Sequence, residues 1–260
     1  AKVKVNKLCL NTQKTKFMVF HSPQRQVVPP QLKINNSQIQ CVETFNYLGI
    51  NIDKHMSWKS HISYVRKKIA HVNCILKKLK HFLPMYVLKI IYNSLISCHL
   101  NYGILAWGSK SNHLFISQKK AVRAITGSKF NAHTDPLFKS LGILKIHDLK
   151  LLNEMKFYYK FLQNQLPHYF LDRFILYNQD FHGYNTRNLH HISHPIIYRE
   201  LHKSTLRFRI VSTINESLDN IKQKLYTHSL YGLSNYIKNY FVSRYEETCT
   251  LPNCRACDRA

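Results

Sequence analysis

Residues 58–80, WKSHISYVRKKIAHVNCILKKLK, predict the longest helix of the chain. Their apolar side chains recur at steps of three and four, which places them on one helix face. These are Trp58, Ile62, Val65, Ile69, Val72, Leu76 and Leu79. Ser57, a residue type that caps helix N-termini, comes just before. The other faces carry Lys59, Arg66, Lys67, Lys68, Lys77, Lys78 and Lys80, and the stretch contains no acid.

Short β-type runs precede this helix. They occupy residues 15–21, 31–34 and 38–52, and Pro29-Pro30 and Asn35-Asn36 separate them. Asparagine tolerates a positive φ, so the Asn-Asn pair predicts a hairpin turn. We therefore expect a small antiparallel sheet.

Helical patterns follow the long helix. Helices are predicted from Pro84 to about residue 100, over 113–127, from Leu137 to Gln163 with a break at Gly142, and over 197–224 and 229–245. The expected fold class is α+β, mostly α. The predicted parts are the sheet (1–55), a basic helical region (56–130), further helices (131–175), a loop or linker (176–195), C-terminal helices (196–248) and a cysteine-containing tail (249–260).

Basic charge is concentrated in the first half of the chain. Residues 1–130 hold 21 Lys and Arg against two acids, Glu43 and Asp53, a net charge of +19. Residues 131–260 hold 17 against 11, a net charge of +6. A field of this size favours a polyanion, and we expect nucleic acid as the partner.

The chain has 260 residues, of which 45% are hydrophobic, and this is enough for a core. It does not begin with Met, and it contains no signal peptide and no run of 18 apolar residues. We therefore expect an internal or truncated piece of a soluble intracellular protein, in the nucleus or cytoplasm, without a membrane partner.

Seven cysteines without a secretory signal indicate reduced thiols. Cys9, Cys41, Cys74 and Cys98 have apolar neighbours and are predicted to be buried. Cys249, Cys254 and Cys257 have the spacing of a zinc site that lacks a fourth ligand. A tail of free thiols remains the alternative.

Residues 8–20, LCLNTQKTKFMVF, followed by Tyr47-Leu48-Gly49-Ile50, resemble the segment downstream of the catalytic aspartates in reverse transcriptases of non-LTR (LINE-type, jockey-like) retrotransposons. Further motifs in the same order continue the resemblance to about residue 190, among them WKSHI at 58–62, HLNYG at 99–103 and YNTR at 184–187. The resemblance implies a palm edge with a primer-grip strand, then a thumb and post-thumb helices.

The family's Ala-Asp-Asp signature is absent from this sequence. In the parent enzyme, clustered carboxylates hold Mg²⁺ against substrate phosphates. We therefore expect a fragment of an RNA-directed DNA polymerase that does not polymerise by itself, with the rest of the parent polyprotein as a partner.

The resemblance and the charge pattern together name the candidate site residues. Those expected to contact the nucleotide or primer are Lys14, Tyr47, Leu48 and Gly49. Those expected to contact the nucleic-acid backbone are Lys59, Arg66, Lys67, Lys68, Lys77, Lys78, Lys119, Lys120, Arg123 and Arg187. A solvent-facing turn for Lys14, a core-packing role for Gly49 and a solvated face for the lysines remain the alternatives.

Two other function classes fit the same sequence. One is a stand-alone or domesticated nucleic-acid-binding protein, and the other is a helical scaffold that binds an acidic protein. Within the leading hypothesis, the fragment binds an RNA–DNA template-primer duplex or RNA.

Overall fold

A computed structural model describes residue 11 and residues 13–34, 36–171, 192–196 and 203–246. Arg187, the YNTR motif, Cys9, Cys249, Cys254, Cys257 and most of the predicted linker lie outside these residues. The chain forms two compact units, Ala1–Val65 and Arg66–Ala260, and the boundary falls within the first helix.

The first unit carries the strands. They are β1 Lys16–Phe17, β2 Lys33–Ile34, β3 Ser37–Gln38, β4 Gln40–Cys41, β5 Thr44–Tyr47 and β6 Ile50–Asp53. The helices are α1 Lys59–Leu79, α2 Met85–Tyr92, α3 Cys98–Asn101, α4 Ile104–Trp107, α5 Asn112–Thr126, α6 Asp135–Leu141, α7 Ile146–Leu162, α8 His168–Leu171, α9 Leu206–Asn215, α10 Asp219–Thr227 and α11 Leu230–Ser243. A π-helix, Asn93–Ser97, joins α2 to α3, and a 3₁₀-helix, Gly108–Lys110, follows α4. The predicted fold class is confirmed.

The strands form three two-stranded ladders rather than one sheet. β2–β3 and β5–β6 are antiparallel hairpins, but β1 pairs with β4 in parallel, with Phe17 opposite Cys41. A parallel pair needs a long crossover, which here contains Pro29 and Pro30. The predicted hairpin turn is confirmed at Asn36, which has φ 62° between β2 and β3.

Asp53 anchors the start of α1. Its carboxylate accepts hydrogen bonds from the backbone N–H groups of Ser57 at 3.0 Å, Trp58 at 2.8 Å and His55 at 3.2 Å. The predicted cap Ser57 accepts more weakly, from Lys59 N–H at 3.4 Å. Burial opposes ionisation of Asp53, but the hydrogen bonds outweigh it and hold its pKa below the usual value.

The buried face of α1 agrees with the predicted stripe at Ile62, Val65, Ile69, Val72 and Leu76. In the second unit, Asn73 is also buried, and its side-chain amide donates to the carbonyl of Ser117 at 2.9 Å. This bond fixes α1 against α5.

Helix α7 lies at the centre of the second unit and contacts α4, α5, α9 and α11. A core of buried residues surrounds it, including Leu152, Met155, Tyr158, Ile210, Val211, Ile214, Leu233 and Ile237. Gln118 of α5 is fully buried and joins three elements. Its amide donates to the Tyr92 hydroxyl and the Leu144 carbonyl at 2.8 Å each, and accepts from Ile146 N–H at 3.0 Å.

A buried ion pair lies inside this core. Glu154 of α7 is 0% exposed, and its Oε1 lies 3.0 Å from Nε of Arg209 on α9. Thr213 donates to the other carboxylate oxygen at 2.9 Å. Arg209 also donates to the carbonyls of Leu105 and Ser204. The pair therefore joins α4, α7 and α9.

Two details of the sequence analysis are wrong. The helix predicted at 197–224 is divided, because α9 ends at Asn215 and the Ser217 hydroxyl donates back to the Thr213 carbonyl. Cys41, Cys74 and Cys98, predicted to be buried, are exposed. Cys41 lies in a two-stranded ladder, and Cys74 projects from the solvent side of α1. Among the residues that the structure describes, no helix has the length and apolarity to cross a bilayer.

We expect Asp53→Ala to weaken the start of α1, because three backbone N–H groups lose their acceptor. A lost cap costs about 1–2 kcal/mol, so amide hydrogen exchange at residues 57–62 should become roughly 5–30 times faster. Glu43→Gln is the control, since that carboxylate is exposed and pairs with Lys54.

The same contact predicts a pH effect. Because folding lowers the pKa of Asp53, its stabilisation is present above the unfolded value of about 3.9 and is lost as the pH falls through the folded value. Protection of these amides should therefore decline in acid in the natural chain, and Asp53→Ala should remove that decline. An identical acid profile in both proteins would contradict this assignment.

Glu154→Ala should destabilise the second unit strongly, because it leaves Arg209 buried without its counter-charge. The expected loss in free energy of unfolding is about 3–5 kcal/mol, measured by urea denaturation. Asp219→Asn is the control: Asp219 is exposed and lies 3.6 Å from Lys222, so we expect a change below about 0.5 kcal/mol. Equal effects of the two substitutions would show that the buried pair does not hold the helices together.

Candidate nucleic-acid interface

The solvent side of α1 carries two clusters of cations in the second unit, which we together call the basic face. Its residues Arg66, Lys67, Lys68, Lys77 and Lys78 are all exposed. Arg66 and Lys77 are 11 residues apart, as are Lys67 and Lys78, and 11 residues make about three helical turns. Each pair therefore lies on one row along the helix, with about 16 Å between its members.

This spacing suits a charged polymer. About 16 Å is close to the axial rise of five phosphates on one strand of a duplex, at 3.4 Å each. Lys67, His71, Cys74 and Lys78 project from the side opposite the buried stripe. No acid occurs from Trp58 to Lys80, so no acid of the same helix lies beside these cations.

Helix stability accounts for only part of this charge. Lys77 and Lys78 lie in the last turn, where cations favourably meet the negative end of the helix dipole. Arg66, Lys67 and Lys68 lie in the middle, where the dipole gives no such benefit. In the first unit, Lys59 is exposed in the first turn, where a cation is unfavourable. These four residues therefore need an explanation outside the helix.

The basic residues of α5 are less exposed. Lys119 is half-buried, with its ammonium 4.4 Å from the centre of the Phe115 ring. Arg123 is also half-buried, and its Nε donates to the Ala132 carbonyl at 2.8 Å, which ties the following loop to α5. Lys120 is exposed. Of the three, Lys120 is best placed to contact a backbone phosphate.

An exposed apolar pair on α2, with Phe82 in the turn before it, was not predicted from the sequence. Tyr86 and Ile90 lie one helical turn apart on α2 and are 69% and 58% exposed, and Phe82, which precedes the helix, is 82% exposed. Phe82 follows directly after Lys77, Lys78 and Lys80 along the chain. The signal was available in the sequence, since Leu88 and Tyr92 define the opposite, buried face of this helix. Exposed aromatic rings beside cations match the pattern of proteins that bind single strands.

The Tyr47-Leu48-Gly49-Ile50 motif lies at a hairpin tip in the first unit. Tyr47 ends β5 and Ile50 begins β6, so Leu48 and Gly49 form the two-residue turn. Their φ values are 48° and 80°, as a type I′ turn requires. The prediction of a continuous primer-grip strand is therefore wrong at Leu48 and Gly49. The glycine provides the positive φ of the turn.

The hairpin tip is stable and apolar. The Asn46 side chain accepts from Gly49 N–H at 3.2 Å and donates to Asn51 at 2.9 Å. Tyr47 and Leu48 are 59% and 72% exposed. Asparagine is the usual first residue of such a turn, and leucine at positive φ is unfavourable. Leu48 therefore departs from the residue type that best suits the first position of this turn.

Lys14 is exposed in a turn at the start of the described residues. Its backbone N–H donates to the Asn11 side chain at 3.1 Å, and Thr15 donates to the Asn11 carbonyl at 2.8 Å. The turn holds the backbone, and the Lys14 ammonium faces solvent.

The two acids of the first 130 residues do not fit a magnesium site. Both oxygens of Asp53 accept hydrogen bonds from the following turn, and Glu43 pairs with Lys54. Within residues 13–34, 36–171, 192–196 and 203–246, no group of three or more His, Cys, Asp and Glu residues is placed to hold a metal ion. The candidate zinc ligands Cys249, Cys254 and Cys257 and the candidate phosphate contact Arg187 lie outside the described residues.

Comparison with known proteins gives one similarity to a polymerase. A stretch of 132 residues, 48% of this chain, is 27% identical to the RNA-directed DNA polymerase from mobile element jockey of Drosophila melanogaster. The chain spans 14% of the length of that protein. No family model and no solved structure matches the sequence. The chain is thus similar, over about half of its length, to an RNA-directed DNA polymerase of a mobile element.

Proposed function

We propose that this chain is the part of a non-LTR retrotransposon RNA-directed DNA polymerase that holds the RNA–DNA template-primer duplex. The observation that carries the proposal is the basic face, which is exposed and has no acid. Contacts from such a face to phosphates give affinity without reading sequence, which a polymerase needs as it moves along its template. The similarity to the jockey polymerase supports the same conclusion.

On this proposal the chain binds duplex and does not polymerise. Two-metal phosphoryl transfer requires clustered carboxylates, which would come from another part of the parent protein. We derive no catalytic step from Glu43 or Asp53. The three C-terminal cysteines remain a proposed zinc site.

The hairpin tip is the proposed contact for the primer end. Tyr47 and Leu48 present apolar surface to solvent, and Leu48 does so at a conformational cost. Strain that persists at an exposed position is a feature of functional sites. Lys14 is the proposed phosphate contact of the same unit.

A scaffold that binds an acidic protein is the second candidate function, and it rests on the same charge. It differs in its preferred ligand. If polyglutamate displaces the hybrid from the protein at an equal concentration of charge, the scaffold is favoured. A stand-alone nucleic-acid-binding protein would bind as the polymerase fragment does, without a preference for a recessed primer end.

Replacing Lys67, Lys68, Lys77 and Lys78 with glutamine should weaken binding to an RNA–DNA hybrid and reduce its salt dependence. Each lost phosphate contact lowers the slope of log K against log salt by about 0.9 on duplex DNA, so we expect a decrease of roughly 2 to 4. Fluorescence anisotropy across a salt series measures this slope.

The matched control replaces four exposed lysines outside α1, namely Lys110, Lys129, Lys160 and Lys238. It removes the same charge, and we expect its slope to fall by less than about 1. Equal slopes for both quadruple variants would mean that the protein attracts nucleic acid only through its net charge.

Leu48→Asn should raise the stability of the hairpin but weaken its preference for a recessed primer end. Asparagine suits the positive φ at this position, so we expect a gain of about 1 kcal/mol in hairpin stability. Loss of the exposed leucine should reduce the preference for a recessed primer end over a blunt hybrid severalfold. Val28→Asn, at another exposed apolar residue of the first unit, is the control. An unchanged preference in Leu48→Asn would remove the hairpin tip from the proposed interface.

A further inference from the structure

A cavity of about 390 Å³ opens in the second unit. Its described walls come from α7, α9, α10 and α11, and it does not include the basic face. Its size lies within the usual range for small-ligand sites, which is about 300–1,000 Å³. The cavity lies beside the buried pair of Glu154 and Arg209, so this ion pair fixes one wall.

The described residues of the cavity wall leave an excess of positive charge. Lys150, Lys203, Arg209 and Arg244 line it, together with one acid, Glu216. Arg209 pairs with Glu154, and Lys203 also has an interaction partner, so Lys150 and Arg244 are the described cations left to consider. Their charge has the sign that attracts a phosphate monoester, which carries about −2 at neutral pH.

Two of these cations retain capacity to bind an anion. The Lys150 ammonium forms an ion pair with Glu154 Oε1 at 4.0 Å, a separation beyond hydrogen-bond length, so its N–H donors are not used by that carboxylate. Arg244 donates from Nη1 to the Tyr240 hydroxyl at 2.8 Å and lies 5.4 Å from the centre of that ring. A guanidinium has five N–H donors, so the stacked Arg244 is oriented by Tyr240 and still has donors for a phosphate.

The rest of the wall suits a nucleoside. Phe208, Tyr240 and Phe241 contribute aromatic surface, against which a base can stack. Thr213 donates its hydroxyl proton to Glu154, and Ser217 donates to the Thr213 carbonyl. Their hydroxyl oxygens can therefore accept hydrogen bonds from the hydroxyl groups of a sugar.

We propose that this cavity binds a nucleoside 5′-monophosphate group, with Lys150 and Arg244 on the phosphate and the aromatic wall on the base. Two sources share this chemistry: a free nucleotide, and the 5′-terminal nucleotide of a nucleic-acid strand. The proposed cavity site is separate from the basic face, so one can fail to bind its ligand while the other still binds.

The test measures binding of AMP and adenosine by isothermal titration calorimetry. It uses the full chain with Lys67, Lys68, Lys77 and Lys78 replaced by glutamine, so that failure of the basic face cannot affect the result. AMP should bind about tenfold or more tightly than adenosine, because each charged hydrogen bond to phosphate is worth at least that factor. Equal or absent binding of AMP and adenosine would overturn the proposal.

Lys150→Met and Arg244→Gln should each weaken AMP binding about tenfold and leave adenosine unchanged. Lys238→Gln is the control, an exposed residue of the same helix outside the described wall. Arg244 is exposed, so its variant should fold even if Lys150→Met does not. Equal losses of AMP affinity in Arg244→Gln and Lys238→Gln would also contradict the proposed site.

Competition distinguishes the two sources. A 5′-phosphorylated tetranucleotide that displaces AMP at a lower concentration than its 5′-hydroxyl form indicates a strand end. If AMP binds and both tetranucleotides fail to displace it, the site takes free nucleotide. Equal displacement by both forms would show that the phosphate is not recognised and would contradict the assignment of Lys150 and Arg244.

Discussion

A carboxylate with no exposure to water determines how the helical unit is assembled. Glu154 meets Arg209 and Thr213 inside the core, and Arg209 extends the contact to the Leu105 carbonyl. Burying one charge alone is very unfavourable, so α7 and α9 must come together in the arrangement that pairs them. Apolar contacts around them supply most of the stabilisation, but they tolerate many relative positions. The ion pair restricts α7 and α9 to the relative position in which the two charges meet.

That restriction also shapes the exposed chemistry. With Arg209 paired internally, Lys150 and Arg244 remain as cations of the described cavity wall. In α1, the buried stripe and the Asn73 contact with Ser117 fix which side of the helix faces solvent. The lysines and Arg66 of the basic face then project together into solvent, and no additional contact is needed to orient them. In both places, a contact within the core decides where charge is presented.

The sequence predicted what depends on local pattern. The stripe of α1, the turn at Asn35-Asn36 and the mostly helical fold all follow from spacing and residue type. What was missed depends on contacts that the spacing of apolar residues does not reveal. Asp53 lies four residues before Ser57 and five before Trp58, and it caps α1 through a turn with positive φ at Met56 and Trp58. The parallel pairing of β1 with β4 and the meeting of Glu154 with Arg209 join segments far apart along the chain. The motif at 47–50 is expected to be a strand from its resemblance to a primer-grip strand, whereas the structure has a turn at Leu48 and Gly49, which begins with leucine where asparagine is typical.

The π-helix Asn93–Ser97 has a consequence for the gene. Leu88, Tyr92, Ile96 and Leu100 are all buried at steps of four, although in a regular α-helix each such step rotates a side chain by about 40°. The wider π turn corrects this drift, and it does so by accommodating one additional residue. Loss of a single codon here would preserve the reading frame and even restore an ordinary helix. Leu100 would then be one residue closer to Leu88 in a regular helix and would point within about 20° of it, so it would stay on the buried face. The π turn therefore lets the segment carry one more codon than a regular helix needs while the same face stays in the core.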